Sequence, residues 1–133
     1  MAAFGAFLIG REVANYMINR ESGTIIFTGA TASVRGADGF AAFSGAKHAK
    51  RSLAQSMARE LGPKGIHVAH VVIDGAIDTP WIKELFQDYY NEKKAIDGLM
   101  NPNDIAGNYL WLYKQPRNAW THEIDLRPWV EKW

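Results

Sequence analysis

The residues able to do chemistry fall into three groups. The first is "GFAAFSGAKHAKR", residues 39–51, where Lys47 stands one helical turn after Phe43. Read by itself, Lys47 is a solvated helix lysine beside Lys50 and Arg51, and Phe43 is a core or pocket-wall ring with no exchangeable proton. The second is "DGAIDT", Asp74 to Thr79, a glycine-containing turn in which Thr79, just before Pro80, suits a turn or helix cap. The third is the histidines. His48, His67, His70 and His122 lack the i, i+4 spacing of a helical metal site, so no metal is expected and they read as structural or exposed. His122, Glu123 and Asp125 have acid/base chemistry, but neighbours on a strand point to opposite faces and cannot converge. No cysteine is present, which removes thiolate chemistry and disulfides and fits a reducing, cytoplasmic setting.

These groups must be positioned by an alternating series of elements. Apolar residues from Phe4 to Ile18 recur at helical spacing, with Gly5 and Gly10 suited to close helix contacts, and predict a mostly buried helix. Thr24-Ile25-Ile26-Phe27-Thr28 is apolar on both faces, as a covered parallel strand is, and ends at Gly29. A helix over 40–61 carries Phe40, Phe43, Ala46, Ala49, Leu53, Met57 and Leu61 along one face and stops at Gly62-Pro63. "IHVAHVVI", residues 66–73, is a second apolar strand. Helical stretches follow at 81–95 and 104–113, the latter behind Asn101-Pro102-Asn103, and a last strand is expected at 121–126.

This order gives an α/β fold, with about three parallel strands, right-handed crossovers and helices on both faces. The first strand would be an uncovered sheet edge unless another segment or chain pairs with it. The 133 residues suit one domain. With 15 Lys and Arg against 14 Asp and Glu, no strong field points to nucleic acid or an anionic membrane, and neither is expected as a partner. The opening "MAAFGAFLIGREV" has no leading basic region and is cut by Arg11 and Glu12 too early to span a bilayer, so it reads as a helix rather than a signal peptide.

Taken in order, "TIIFTGATAS", "FSGAKHAKRSLAQSMARELGPKGIHV", "DGAIDT" and "NPNDIA" resemble the C-terminal half of a classical short-chain dehydrogenase/reductase. The resemblance covers essentially the whole chain. It implies half of a Rossmann-like, doubly wound fold as a single partial domain over 1–133, with NAD or NADP as cofactor and a carbonyl or alcohol as substrate. In that family a tyrosine donates the proton, a lysine four residues later binds the nicotinamide ribose and lowers the tyrosine pKa, a serine orients the substrate oxygen and an asparagine supports a proton relay.

Carried over position by position, the resemblance assigns Lys47 to the lysine and Phe43 to the tyrosine. The serine position is Ala30, with Thr28, Thr31 and Ser33 nearby, and the asparagine position is Ala2. Only Lys47 retains the required chemistry. On the cofactor side, Gly75, the Ile77 backbone and Thr79 match the family's Pro-Gly-x-x-x-Thr turn, with Asp74 in place of proline. No glycine-rich pyrophosphate turn precedes Thr24, so weak cofactor binding, or none, is expected of this chain alone. Trp81 and Phe86, with Tyr89 and Tyr90, fall in the substrate-binding segment, as an apolar lid or as cover for open core. The expected activity is therefore an impaired or lost oxidoreduction, and the alternative is a non-catalytic assembly module. Helices 4–18 and 40–61 and the tail with Trp120, Trp129 and Trp133 are the candidate surfaces for a homo-oligomer or an intact relative, against intrachain packing of those tryptophans.

Overall fold

The computed structural model describes residues 2–132. Its elements are α1 (Ala2–Asn19), β1 (Gly23–Thr28), α2 (Ala41–Leu61), β2 (Ile66–Ile73), α3 (Pro80–Leu85), α4 (Gln87–Ala95), α5 (Pro102–Lys114) and β3 (Glu123–Leu126), with short 3-10 turns between some of them. The strands form one parallel sheet in the order β1-β2-β3, with Thr28 opposite Val71 and His70 opposite Glu123. The central strand β2 is buried along its whole length, as its unbroken apolar run requires. β1 is an edge, as expected of the first strand.

Alternation along β2 divides the core between two faces. Ile66 and Val68 meet Ala14 of α1 and Ala54, Met57 and Leu61 of α2 on one side. Ala69, Val71 and Ile73 meet Leu112 of α5 on the other, with Ile105 and Tyr109 packed around them. The α5 start is capped by the Asn101 side chain, which accepts from the Asn103 amide at 2.9 Å, with Pro102 at the first helical position.

Several expectations are corrected. Helix α1 is not mostly buried: only Gly10 and Ala14 are buried, and Phe4, Phe7, Ile9 and Tyr16 are exposed. A Cβ at Gly10 would meet Met57 and Phe27, whereas one at Gly5 would meet nothing within 4 Å. The expected α2 stripe is rotated in its first half, where Ser44 is buried and Phe40 and Phe43 are exposed. In both helices an apolar period was present, but this chain supplies no surface opposite part of it. β1 is only half-buried for the same reason, apart from Phe27. The helix expected over 81–95 breaks at Phe86 (φ −136°, ψ 53°), and the last strand begins at Glu123 rather than residue 121.

Candidate active site

Three short segments converge at the carboxyl end of the sheet. The Ser44 hydroxyl, next to Phe43, lies 3.2 Å from the Ala32 carbonyl, which ties the start of α2 to the loop after β1. In that loop Thr31 donates its hydroxyl to Asp74 Oδ1 at 2.5 Å, which ties it to the turn after β2. Lys50 reaches the Thr28 carbonyl at 3.5 Å. The positions assigned to the serine, the tyrosine–lysine helix and the nicotinamide turn are thus joined by hydrogen bonds.

Lys47 Nζ lies 5.4 Å from the centroid of the Phe43 ring, a cation–π contact where a phenol would have offered an oxygen. Burial, reinforced by the neighbouring Lys50 charge, holds the Lys47 pKa below its ordinary value. Phe43 is 48% exposed, so of the two readings, core or pocket wall, it is not a core ring. Ala30 donates its amide to Ser33 Oγ at 3.0 Å. None of the neighbouring hydroxyls stands free for the serine role: Thr28 Oγ1 pairs with the Tyr109 hydroxyl at 2.7 Å, Thr31 with Asp74, and Ser33 is fully buried. Ala2 begins α1 and is exposed.

The turn from Asp74 to Thr79 is firmly built. The Asp74 amide donates to Leu126 O at 2.8 Å, a bond that a proline there would lack. Its carboxylate is 1% exposed and faces Arg35 at 3.5 Å and Arg127 at 3.8 Å as well as Thr31. Gly75, at φ 156°, lies under the tail, and a Cβ there would come within 2.6 Å of Pro128 Cδ. Ile77 bridges Met100 in parallel through bonds made by its neighbours, Met100 N to Ala76 O and Asp78 N to Met100 O, both 2.9 Å. That pattern turns the N–H and C=O of Ile77 itself to the opposite side, available to a planar amide. Thr79 Oγ1 accepts from Ile82 N at 3.4 Å as the α3 cap and keeps its own proton to donate. The Ile77 amide, the Thr79 hydroxyl and the Lys47 ammonium are a donor set that fits the carboxamide and ribose of a nicotinamide nucleotide. The chain has no counterpart for the pyrophosphate turn.

Trp81 and Phe86 meet edge to face with centroids 6.3 Å apart, and both are exposed. They cover no core, which removes one of the two expected uses. Trp120 stacks on His67 at 5.0 Å and belongs to intrachain packing. Trp129 is exposed, with its indole donating to Ile96 O at 3.1 Å, and Trp133 lies outside the described residues.

Two polar constellations escaped the sequence reading. Arg51 gives Glu123 two hydrogen bonds of 2.7 Å, and His70 Nδ1 lies 2.9 Å from the same carboxylate. Asp78 accepts from Tyr90 and Lys94. The i, i+4 spacing of Tyr90 and Lys94 was a legible signal for the second, whereas the first depends on strand register. His122 turns to Val68 O and Asp125 pairs with Arg127, so the 122–125 residues diverge. Among the described residues no cluster of His, Asp and Glu could hold a metal, and no helix is long and apolar enough to cross a membrane.

Comparison with known proteins gives the family. A family model described as short chain dehydrogenase matches residues 1–90. A 2-dehydro-3-deoxy-D-gluconate 5-dehydrogenase of Pseudoalteromonas atlantica is 30% identical over 112 residues, covering 80% of this chain and 43% of that protein. Zerumbone synthase of Zingiber zerumbet is 30% identical over 121 residues, covering 81% and 45%. The crystal structure of a short-chain dehydrogenase from Rhodopseudomonas palustris superposes with a TM-score of 0.74 at 46% identity, covering 97% of this chain and 49% of that one. A serine dehydrogenase complexed with NADP+ reaches a TM-score of 0.80 at 19% identity, covering 97% and 53%, a likeness of fold. The chain spans about half the length of the relatives it matches, or slightly less. With three parallel strands flanked by helices and a family model matched over residues 1–90, the chain belongs to the short-chain dehydrogenase/reductase family of oxidoreductases.

Proposed function

We propose that this chain is the nicotinamide-side part of an NAD- or NADP-dependent oxidoreductase whose tyrosine-type proton transfer has been lost. The observation that carries the reading is the Lys47–Phe43 contact, in which the ammonium lies by a ring without a hydroxyl. A bound nicotinamide would supply or accept the hydride. The protein's own share is to position it, with Lys47, the Ile77 amide and Thr79, and to handle the proton that balances hydride transfer at a carbonyl oxygen. Phe43 cannot handle that proton, and Ala30 cannot orient the oxygen. Trp81 and Phe86 would then line the substrate side. One partial Rossmann-like domain over 1–133 fits this role, with weak cofactor affinity because only one end of the dinucleotide is contacted.

The test is a titration of the 133-residue chain with NADH and NADPH, read as energy transfer from tryptophan to nicotinamide. Saturation at micromolar to millimolar cofactor supports the reading, and loss of that signal in Lys47→Met localises it. No transfer at millimolar cofactor overturns it.

A second reading has its own support in the exposed Phe4, Ile9 and Tyr16 of α1 and Phe40 and Phe43 at the head of α2. On that reading the chain is a non-catalytic module that assembles with its own copies or with an intact relative. A concentration-independent monomer by sedimentation would remove the self-assembling form.

A further inference from the structure

We propose that Asp78 is a latch holding the α3–α4 segment closed against the turn that contains it, and so a positioning residue acting through Tyr90 and Lys94. Neither α3 nor α4 buries a side chain, and neither core cluster draws a residue from them. At 6 and 9 residues they are shorter than the roughly 12–15 that an isolated helix needs in water. Something other than apolar packing must hold them in place.

Asp78 supplies it. Its backbone is fixed by the 2.9 Å bond to Met100 O, and its two carboxylate oxygens are divided between two residues one turn apart on α4. Oδ1 accepts from the Tyr90 hydroxyl at 2.8 Å and Oδ2 from Lys94 Nζ at 2.5 Å. The other restraints lie at the ends of the segment: the Thr79 cap before α3, and the Trp129 indole on Ile96 O after α4. Between these two ends, among the described residues, the Asp78 carboxylate makes the hydrogen bonds that tie the segment to the rest of the chain. The side chains that would move are Trp81, Leu85 and Phe86, each more than half exposed already, so opening sacrifices little apolar burial. Asp78 also sits between Ile77 and Thr79. Any shift of that turn is therefore transmitted to the latch, and the converse. That this governs substrate entry rests on the function proposed above; the latch itself does not.

The experiment is hydrogen exchange by mass spectrometry on the full chain without nicotinamide, so its outcome is independent of cofactor binding. Asp78→Ala and Lys94→Met should each speed exchange in residues 87–95 by about tenfold, with residues 41–61 and 66–73 unchanged. Tyr90→Phe should fall between these and the parent. The Asp78→Ala/Lys94→Met double variant should be no worse than Asp78→Ala alone, because that change already removes both the Tyr90 and the Lys94 bonds. Lys94→Arg, which keeps a cation within reach, should retain protection. Unchanged exchange at 87–95 in Asp78→Ala, additive loss in the double variant, or loosening spread through α2 and β2 would each overturn the latch.

Discussion

Arg51 on α2 and Glu123 on β3 are joined by two parallel hydrogen bonds of 2.7 Å, across the sheet strand that lies between them in the chain. The pair matters because Arg51 stands one helical turn beyond Lys47, so it anchors the helix that carries Lys47. The third member, His70, is fully buried on β2 and turns Nδ1 to the same carboxylate.

Removing the guanidinium should loosen that helix. Arg51→Met is expected to destabilise the fold by roughly 1–2 kcal/mol, the lower part of the range for a broken ion pair because solvent reaches both groups. Thermal unfolding followed by circular dichroism measures it, and an unchanged midpoint would show the pair to be dispensable.

Acid should weaken the fold in two steps. His70 is held below its ordinary pKa of 6.5 chiefly by burial, with the Glu123 bond opposing. The unfolded chain therefore takes up a proton that the fold resists, and stability is lost as pH falls through the ordinary histidine range. Glu123 is held below its ordinary value of 4.5, first by the Arg51 hydrogen bond and then, against the cost of burial, by His70. Its contribution is present above that value and is lost as pH falls through its lowered one. Urea unfolding between about pH 7.5 and about pH 5 should reveal the histidine step, and His70→Gln should flatten it.

Gly29 should resist substitution. A Cβ there would come within 2.4 Å of His70 Nε2 and 2.9 Å of Ser33 Oγ, and both neighbours are fully buried. Gly29→Ala is expected to cost roughly 1–3 kcal/mol by overpacking. A denaturant midpoint equal to the parent's would mean that the histidine ring has room to withdraw.

Phe43→Tyr should place a phenol near the Lys47 ammonium. A phenol so placed should titrate below the ordinary tyrosine value of about 10, because a nearby cation favours its charged form. NMR titration of ring-labelled tyrosine would follow it, and combining the change with Lys47→Met should return the value toward normal. An undisplaced phenol in the single variant would show that the lysine does not act on position 43.

The exposed face of α1 gives the last expectation. If the chain self-associates, Ile9→Lys should lower the sedimentation coefficient at high concentration without altering the circular dichroism, since Ile9 contributes nothing to the described core.

Much of this protein is written locally. The order of helices and strands follows from apolar period and from breaks such as Gly62-Pro63 and Asn101-Pro102, because both act over one or two turns of chain. The identities of residues 30 and 43 are likewise plain in the sequence. Tertiary structure alone decided which apolar faces are covered. A helical period looks the same whether the surface opposite it lies in the chain or not, so Phe4 and Phe7 of the expected buried helix and Phe43 of the expected α2 stripe stand exposed. It also decided the polar pairings. Arg51 meets Glu123 over a separation of 72 residues only because the parallel register sets His70 opposite Glu123 and the crossover lays α2 on that face. Asp78 finds Tyr90 and Lys94 only because the break at Phe86 folds α4 back toward the turn. Such pairings depend on distance in space, which spacing along a chain does not encode.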